Sequence, residues 1–153
     1  MKILVSACLL GENCKYSGGN NYNQAVCDFA RGHQMVPVCP EVLGGLPTPR
    51  CPAEIVQDVV TNKEGINVDR EFRAGAAKAL AIAKENGVEL AILQSRSPSC
   101  GVKEIYDGTF SGTKIPGQGV FAKMLMDVGI RVLDAGELPK TILKNEDGKC
   151  QSD

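Results

Sequence analysis

The chain has no tryptophan and one histidine, and aromatic residues fill only 5% of its 153 positions. With so few rings, a base-stacking platform for single-stranded nucleic acid is poorly supplied. A single His leaves neither a His-rich zinc centre nor a hydrolase triad well furnished. That residue, His33, follows Gly32 at a predicted helix end and suits a partner for the carbonyl end of that helix. No CxxC pair occurs, which removes the zinc ribbon, the thioredoxin motif and the common ferredoxin spacing. Excess charge of one sign is also missing: charged residues make up 23% and the formal net charge is −1. Duplex nucleic acid and an anionic membrane therefore lack an electrostatic warrant, whereas a small anionic ligand needs only a local patch. No apolar run approaches the ~20 residues of a membrane span. The first such run, Ile3 to Leu10, is broken by Ser6 and Cys8 and preceded by one Lys, short of a signal-peptide core. For the same reason the lipoprotein-like string Leu4–Cys8 is a superficial match. A cytoplasmic, reducing location is expected.

What the chain does have is cysteine, seven in all. A chain of this length buries enough surface to fold without a disulfide or a structural metal. Reduced thiols in such a protein serve as metal or cluster ligands, as nucleophiles, or as core filler.

Lys2–Ala7 is an Ile/Val-rich run that reads as a strand buried on both faces. A Gly- and Asn-rich loop, 11–23, follows, then a helix over 23–31 and a strand over 35–38. Four prolines between 40 and 52 mark a stiff irregular stretch. Residues 58–68 read as a hairpin turning at Asn62–Gly65. The clearest helix spans 70–86, with Asp69 as N-cap, Gly87 beyond its end and an apolar stripe of Phe72, Ala76, Ala79, Leu80 and Ala83. Leu90–Leu93 is a third strand, 95–119 is loop-rich, 120–128 is a second amphipathic helix, and Ile130–Leu133 is a fourth strand. No internal repeat or linker divides the chain. The pattern predicts one α/β domain over 1–143, a mostly parallel open (Rossmann-like) sheet flanked by helices with a small hairpin, and a polar tail over 144–153.

Ligands of open parallel sheets bind at the carboxyl ends of the strands. Cys8, Cys39 and Cys100 each follow a predicted strand, so all three are expected on one edge. Cys39 is joined by Glu41 across Pro40, and Glu is almost never buried unless paired. Cys100 closes the string Ser95-Arg96-Ser97-Pro98-Ser99-Cys100-Gly101, rich in hydroxyls and carrying a cation that would favour its thiolate. Cys27 reads as core, on the side of Val26 and Ala30, while Cys14 and Cys51 lie in loops and Cys150 in the tail. The segment 107–119 is glycine-rich but lacks the Gly-Lys-Ser/Thr end of a P-loop; the start of the following helix is left as a weak anion site. From the residues alone, a metal or cluster site, a nucleophilic thiol and structural thiols all stay open.

The strings SACLLGENCKYSGG, VPVCPEVLGGLPTPR, SRSPSCG and IYDGTFSGT occur in that order. Together they resemble the thiouracil desulfurase (desulfidase) family, long catalogued as a domain of unknown function, over roughly Met1 to Asp134. The resemblance implies a C–S bond-cleaving enzyme. It implies a [4Fe-4S] cluster held by Cys8, Cys39 and Cys100, leaving one iron open to the sulfur of a thiolated pyrimidine, with sulfide released and no net redox change. It implies catalysis by Glu41 and one of the pair Ser97 and Ser99, with Ser97 favoured. Cys14 and Cys51 stand where the family pattern calls for no invariant thiol, and either would compete with substrate if it reached the open iron. A non-catalytic module that binds a nucleotide through the glycine-rich segment is one rival, and two more follow from the cysteines. One is a non-catalytic iron–sulfur or zinc-binding protein, and the other a thiol enzyme with Cys100 activated by Arg96.

Overall fold

The computed structural model describes residues 1–137. Four parallel strands form the central sheet: β1 (Lys2–Ser6), β2 (Gln34–Val38), β5 (Leu90–Leu93) and β8 (Arg131–Asp134), in the order β2-β1-β5-β8. The predicted tail and Cys150 lie outside the described residues.

The two central strands are buried on both faces, which is why they read as unbroken apolar runs. On β1, Leu4 faces one core while Ile3 and Val5 face the other, and all three are fully buried. On β5, Ala91 and Leu93 share the side of Leu4, whereas Leu90 and Ile92 share that of Ile3. The first face is covered by α3 (Asp69–Glu85) and α4 (Val120–Asp127) through Phe72, Ala76, Phe121 and Leu125. Each fully buried large side chain of this kind contributes ~1.5–3 kcal/mol. The second face is covered by α1 (Gln24–Ala30) through Val26, and Asn23 caps that helix by accepting from the Val26 N–H at 3.2 Å. The predicted α/β architecture is the observed one. No helix among the described residues is long and apolar enough to cross a membrane.

Several local expectations are corrected. The hairpin joins β3 (Ala53–Val56) to β4 (Val59–Asn62) around Gln57-Asp58, both at positive φ. That turn has no glycine to announce it. The expected turn at Asn62–Gly65 also forms, but residues 66–68 return only an isolated bridge, Asn67 to Thr61. The stiff stretch after β2 begins with one helical turn, α2 (Pro40–Leu43), and the loop-rich stretch 95–119 contains a second hairpin, β6 (Glu104–Tyr106) with β7 (Lys114–Pro116). Asp69 is the first residue of α3, not its cap. Its carboxylate accepts from the Val60 N–H (3.0 Å) and pairs with Arg73 (2.7 Å), tying α3 to β4. His33 lies beyond the end of α1, exposed and against the ring of Phe29.

Candidate active site

A cavity of about 480 Å³ opens at the carboxyl edge of the sheet, and Cys8, Cys14, Cys39, Cys51, Cys100 and Glu41 all line it. Each of the three strand-end cysteines arrives by a different device. Cys8 lies in a single 3-10 turn, Ala7–Leu10, directly after β1. Cys39 is the residue before α2, where Pro40 at the first helical position starts the turn and the Cys39 carbonyl accepts from Leu43 N–H at 3.0 Å. Cys100 ends the loop after β5, and that loop is anchored from below. The first amides of α4, on Val120, Phe121 and Ala122, donate to the carbonyls of Pro98 and Ser99 at 2.8–3.1 Å. The expected anion site at this helix start is therefore already occupied by the chain's own backbone.

Cys27 is the one described cysteine that stays away from the cavity. It is half-buried, with its thiol donating to the Leu9 carbonyl at 3.9 Å.

The thiols differ in their surroundings. Cys14 hydrogen-bonds to the sulfurs of both Cys8 and Cys39, and these bonds are the largest cause bringing each of the two down to a pKa of about 7 against burial. The Asn21 amide adds a bond to Cys8 Sγ at 3.4 Å. The same contacts push the Cys14 thiol up. Cys100 is fully enclosed, and burial pushes it up to about 12, opposed by hydrogen bonds from Ser6 and Ser99.

The expected help from Arg96 does not arrive. Its guanidinium pairs outward with Glu104 at 2.9 Å. A buried, protonated Cys100 without a cation is a poor nucleophile, so the reading of Cys100 as an Arg96-activated nucleophile loses its physical basis.

Glu41 sits in the first turn of α2, its side chain 14% exposed, and each carboxylate oxygen has its own partner. Oε1 accepts from Nε of Arg50 at 3.0 Å and is ion-paired with Nη2 of the same guanidinium, also at 3.0 Å. Oε2 accepts from Ser99 Oγ at 2.9 Å, with Ser97 Oγ farther away at 3.4 Å. The two hydroxyls are 2.8 Å apart. Ser97 Oγ also accepts from the backbone N–H groups of Ser99 and Cys100, both at 3.0 Å, which makes it the clasp of this loop. Arg50 in turn reaches the carbonyl of Cys14 through Nη2 at 2.8 Å.

Residues 3–137 match the sequence profile described as 2-thiouracil desulfurase. The chain belongs to the 2-thiouracil desulfurase family. Membership makes it an enzyme that cleaves a carbon–sulfur bond, so the reading of a non-catalytic binder falls. It is similar to the uncharacterized protein YbbK of Bacillus subtilis strain 168, at 43% identity over 146 residues, covering 89% of this chain and 97% of that one. It is also similar to a solved structure of the [4Fe-4S]-dependent thiouracil desulfidase TudS. That likeness has a TM-score of 0.85 and 38% identity, covering 95% of this chain and 97% of the other.

The donor set of this family member suits an iron–sulfur group. Among the described residues, no three His, Cys, Asp or Glu side chains are grouped so as to hold a single metal ion. A mononuclear zinc centre, which needs its donors convergent on one atom, has no ready site among them. A cluster spreads its thiolates over several irons and needs only that they face one cavity, as these do.

Three polar residues escaped the sequence reading: Arg50, Ser6 and Asn21. The signal for Arg50 was present, because a half-buried Glu41 requires a partner and Arg50 ends the same motif. Ser6 looked like part of a buried strand; its hydroxyl accepts from the Gln94 N–H at 3.0 Å and joins the ends of β1 and β5 beneath Cys100.

Proposed function

We propose that this enzyme hydrolyses the exocyclic C–S bond of a thiolated pyrimidine, a 2-thiouracil-like base or its nucleoside or nucleotide, without net electron transfer. Water supplies the oxygen, the pyrimidine leaves as its oxo form, and sulfur leaves as hydrogen sulfide or hydrosulfide. The resident cofactor is a [4Fe-4S] cluster held by Cys8, Cys39 and Cys100, with the fourth iron open to substrate. When bound, it supplies a soft Lewis-acidic iron suited to a thiocarbonyl sulfur.

The chain's own residues supply the proton chemistry. Arg50 holds Oε1 of Glu41 and leaves Oε2 as the working oxygen. Oε2 accepts a proton from the attacking water and returns it to the ring nitrogen or the departing sulfur. Ser99, which donates to that oxygen, keeps it oriented and can swing its hydroxyl toward developing charge. Ser97 acts one step back, by holding the loop that carries Ser99 and Cys100. On this reading the catalytic hydroxyl is that of Ser99, rather than the Ser97 that the sequence favours; the shorter bond from Ser99 to Glu41 supports it.

The observation that carries this reading is the Glu41 carboxylate, gripped by Arg50 and Ser99 in the same cavity as the three strand-end thiols. The test is anaerobic reconstitution with iron and sulfide, followed by incubation with 2-thiouracil and no added reductant. Equal amounts of uracil and sulfide are expected over many turnovers. A stoichiometric need for an electron donor would overturn the non-redox reaction. Turnover by the iron-free protein would overturn the cluster's role.

A further inference from the structure

The proposed cluster uses three of the five thiols that line the cavity. Of the other two, Cys51 makes no hydrogen bond with Cys8, Cys39 or Cys100 among the described residues, whereas Cys14 lies against a proposed ligand, the Cys39 thiol donating to its carbonyl. Its placement is built in. The Cys14 N–H donates to the Glu12 carbonyl at 2.9 Å. Its own carbonyl takes Nη2 of Arg50 at 2.8 Å and the Cys39 thiol at 3.8 Å. Two residues on, the Tyr16 carbonyl accepts from the Arg50 backbone N–H at 2.7 Å. The loop is thus tied at Cys14 and again at Tyr16 by the same arginine that grips Glu41. Cys14 is half-buried on the cavity wall, less enclosed than Cys8 or Cys100.

We propose that Cys14 is a fourth, displaceable thiolate ligand that closes the cluster when no substrate is bound. This rests on the three-cysteine reading above and deepens it. Iron–sulfur clusters are normally held by four thiolates, and a soft iron position left without one favours any sulfur within reach. Cys14 gives up its proton to solvent as its sulfur bonds to the open iron. The arriving thiocarbonyl sulfur breaks that bond, and the freed thiolate takes a proton back. No electron moves in either direction. Cys14 therefore shields the vulnerable iron between turnovers at the cost of competing with substrate.

The test compares reconstituted wild type with Cys14→Ala at matched iron and sulfide content. Ferricyanide oxidation strips an iron that lacks a protein ligand and leaves a three-iron cluster with its own EPR signal. That signal is expected from Cys14→Ala and is lost in the wild type. In parallel, wild type is alkylated with iodoacetamide and mapped by mass spectrometry. Cys14 modification is expected in the iron-stripped protein and is lost in the loaded one. Equal three-iron signals from the two proteins would overturn the proposal, as would equal alkylation of Cys14 with and without iron. If Cys14→Ala does not load, the wild type decides alone, since a three-iron signal from it overturns the fourth ligand. A wild type that takes up no cluster sinks the three-cysteine reading and this one together, whereas a loaded wild type with a reactive Cys14 sinks only this one.

Discussion

Glu41 shows how much of the site is decided by single side chains. One of its oxygens is held by Arg50 and the other meets Ser99. Glu41→Gln keeps the shape and most of the hydrogen bonding but cannot take a proton at neutral pH. It is expected to lower the rate of sulfide release by ~10²–10⁴-fold, the usual contribution of a general acid–base group. Iron content should match the wild type, which separates a lost proton carrier from a lost cluster. The two serines should separate as well. Ser99→Ala removes the hydroxyl that touches Glu41, and its loss is expected chiefly in turnover. Ser97→Ala leaves the N–H groups of Ser99 and Cys100 without their acceptor. Unsatisfied buried donors cost ~1–3 kcal/mol each, so this variant should show its loss first in thermal unfolding. If Ser97→Ala abolishes turnover while leaving stability untouched, the two roles are reversed.

At the scale of elements, α2 delivers both Cys39 and Glu41, yet one turn of helix has no stability of its own. It is held by contact with α3, at a point where two glycines face each other. A Cβ on Gly75 would run into the backbone carbonyl of Pro40, and one on Gly44 would run into that of Glu71. The backbones approach as closely as they do because neither residue has a side chain. Helix propensity alone would make Gly75→Ala stabilising by about 1 kcal/mol. The obstacle is backbone rather than a flexible side chain, so the opposite sign is expected: a destabilisation of ~1–3 kcal/mol, in the range of overpacking. Because α2 must move, cluster retention should fall with it. Chemical denaturation and iron content measure the two effects. A stabilised Gly75→Ala with full iron would show that α2 is not set by this contact.

For the molecule as a whole, the sheet is the device that gathers the thiols. Cys8, Cys39 and Cys100 belong to three separate parts of the sequence and meet because β1, β2 and β5 run parallel and adjacent. The cores on the two faces of that sheet make it a rigid base, and α4 supports the Cys100 loop from beneath. Serine substitutions at Cys8, Cys39 or Cys100 are each expected to lose most bound iron and sulfide. Cys27→Ser, at the one described cysteine outside the cavity, should retain both. Equal loss from Cys27→Ser would show that iron uptake follows general stability rather than these ligands.

The sequence by itself determined the parallel sheet, because strands buried on both faces must be apolar throughout, and Leu4, Ile3 and Val5 advertise this directly. It determined α3 through its apolar stripe, and it placed a cysteine after each of three strands. The family strings pointed to the chemistry. The sequence did not reveal the hairpin turn at Gln57-Asp58, which lacks the usual glycine, nor the filling of the α4 start by the Pro98 and Ser99 carbonyls. Which cation serves which group was decided only in three dimensions. Arg96 is four residues from Cys100 yet turns away to Glu104, while Arg50 reaches Glu41 across the prolines. The different hydrogen-bond partners of Ser97 and Ser99 and the placement of Cys14 against Cys39 were decided there too. Periodicity and burial are written along the chain because each residue meets its own face of the sheet or helix. A hydrogen bond between side chains depends on where two loops end up, and only the packed molecule sets that distance.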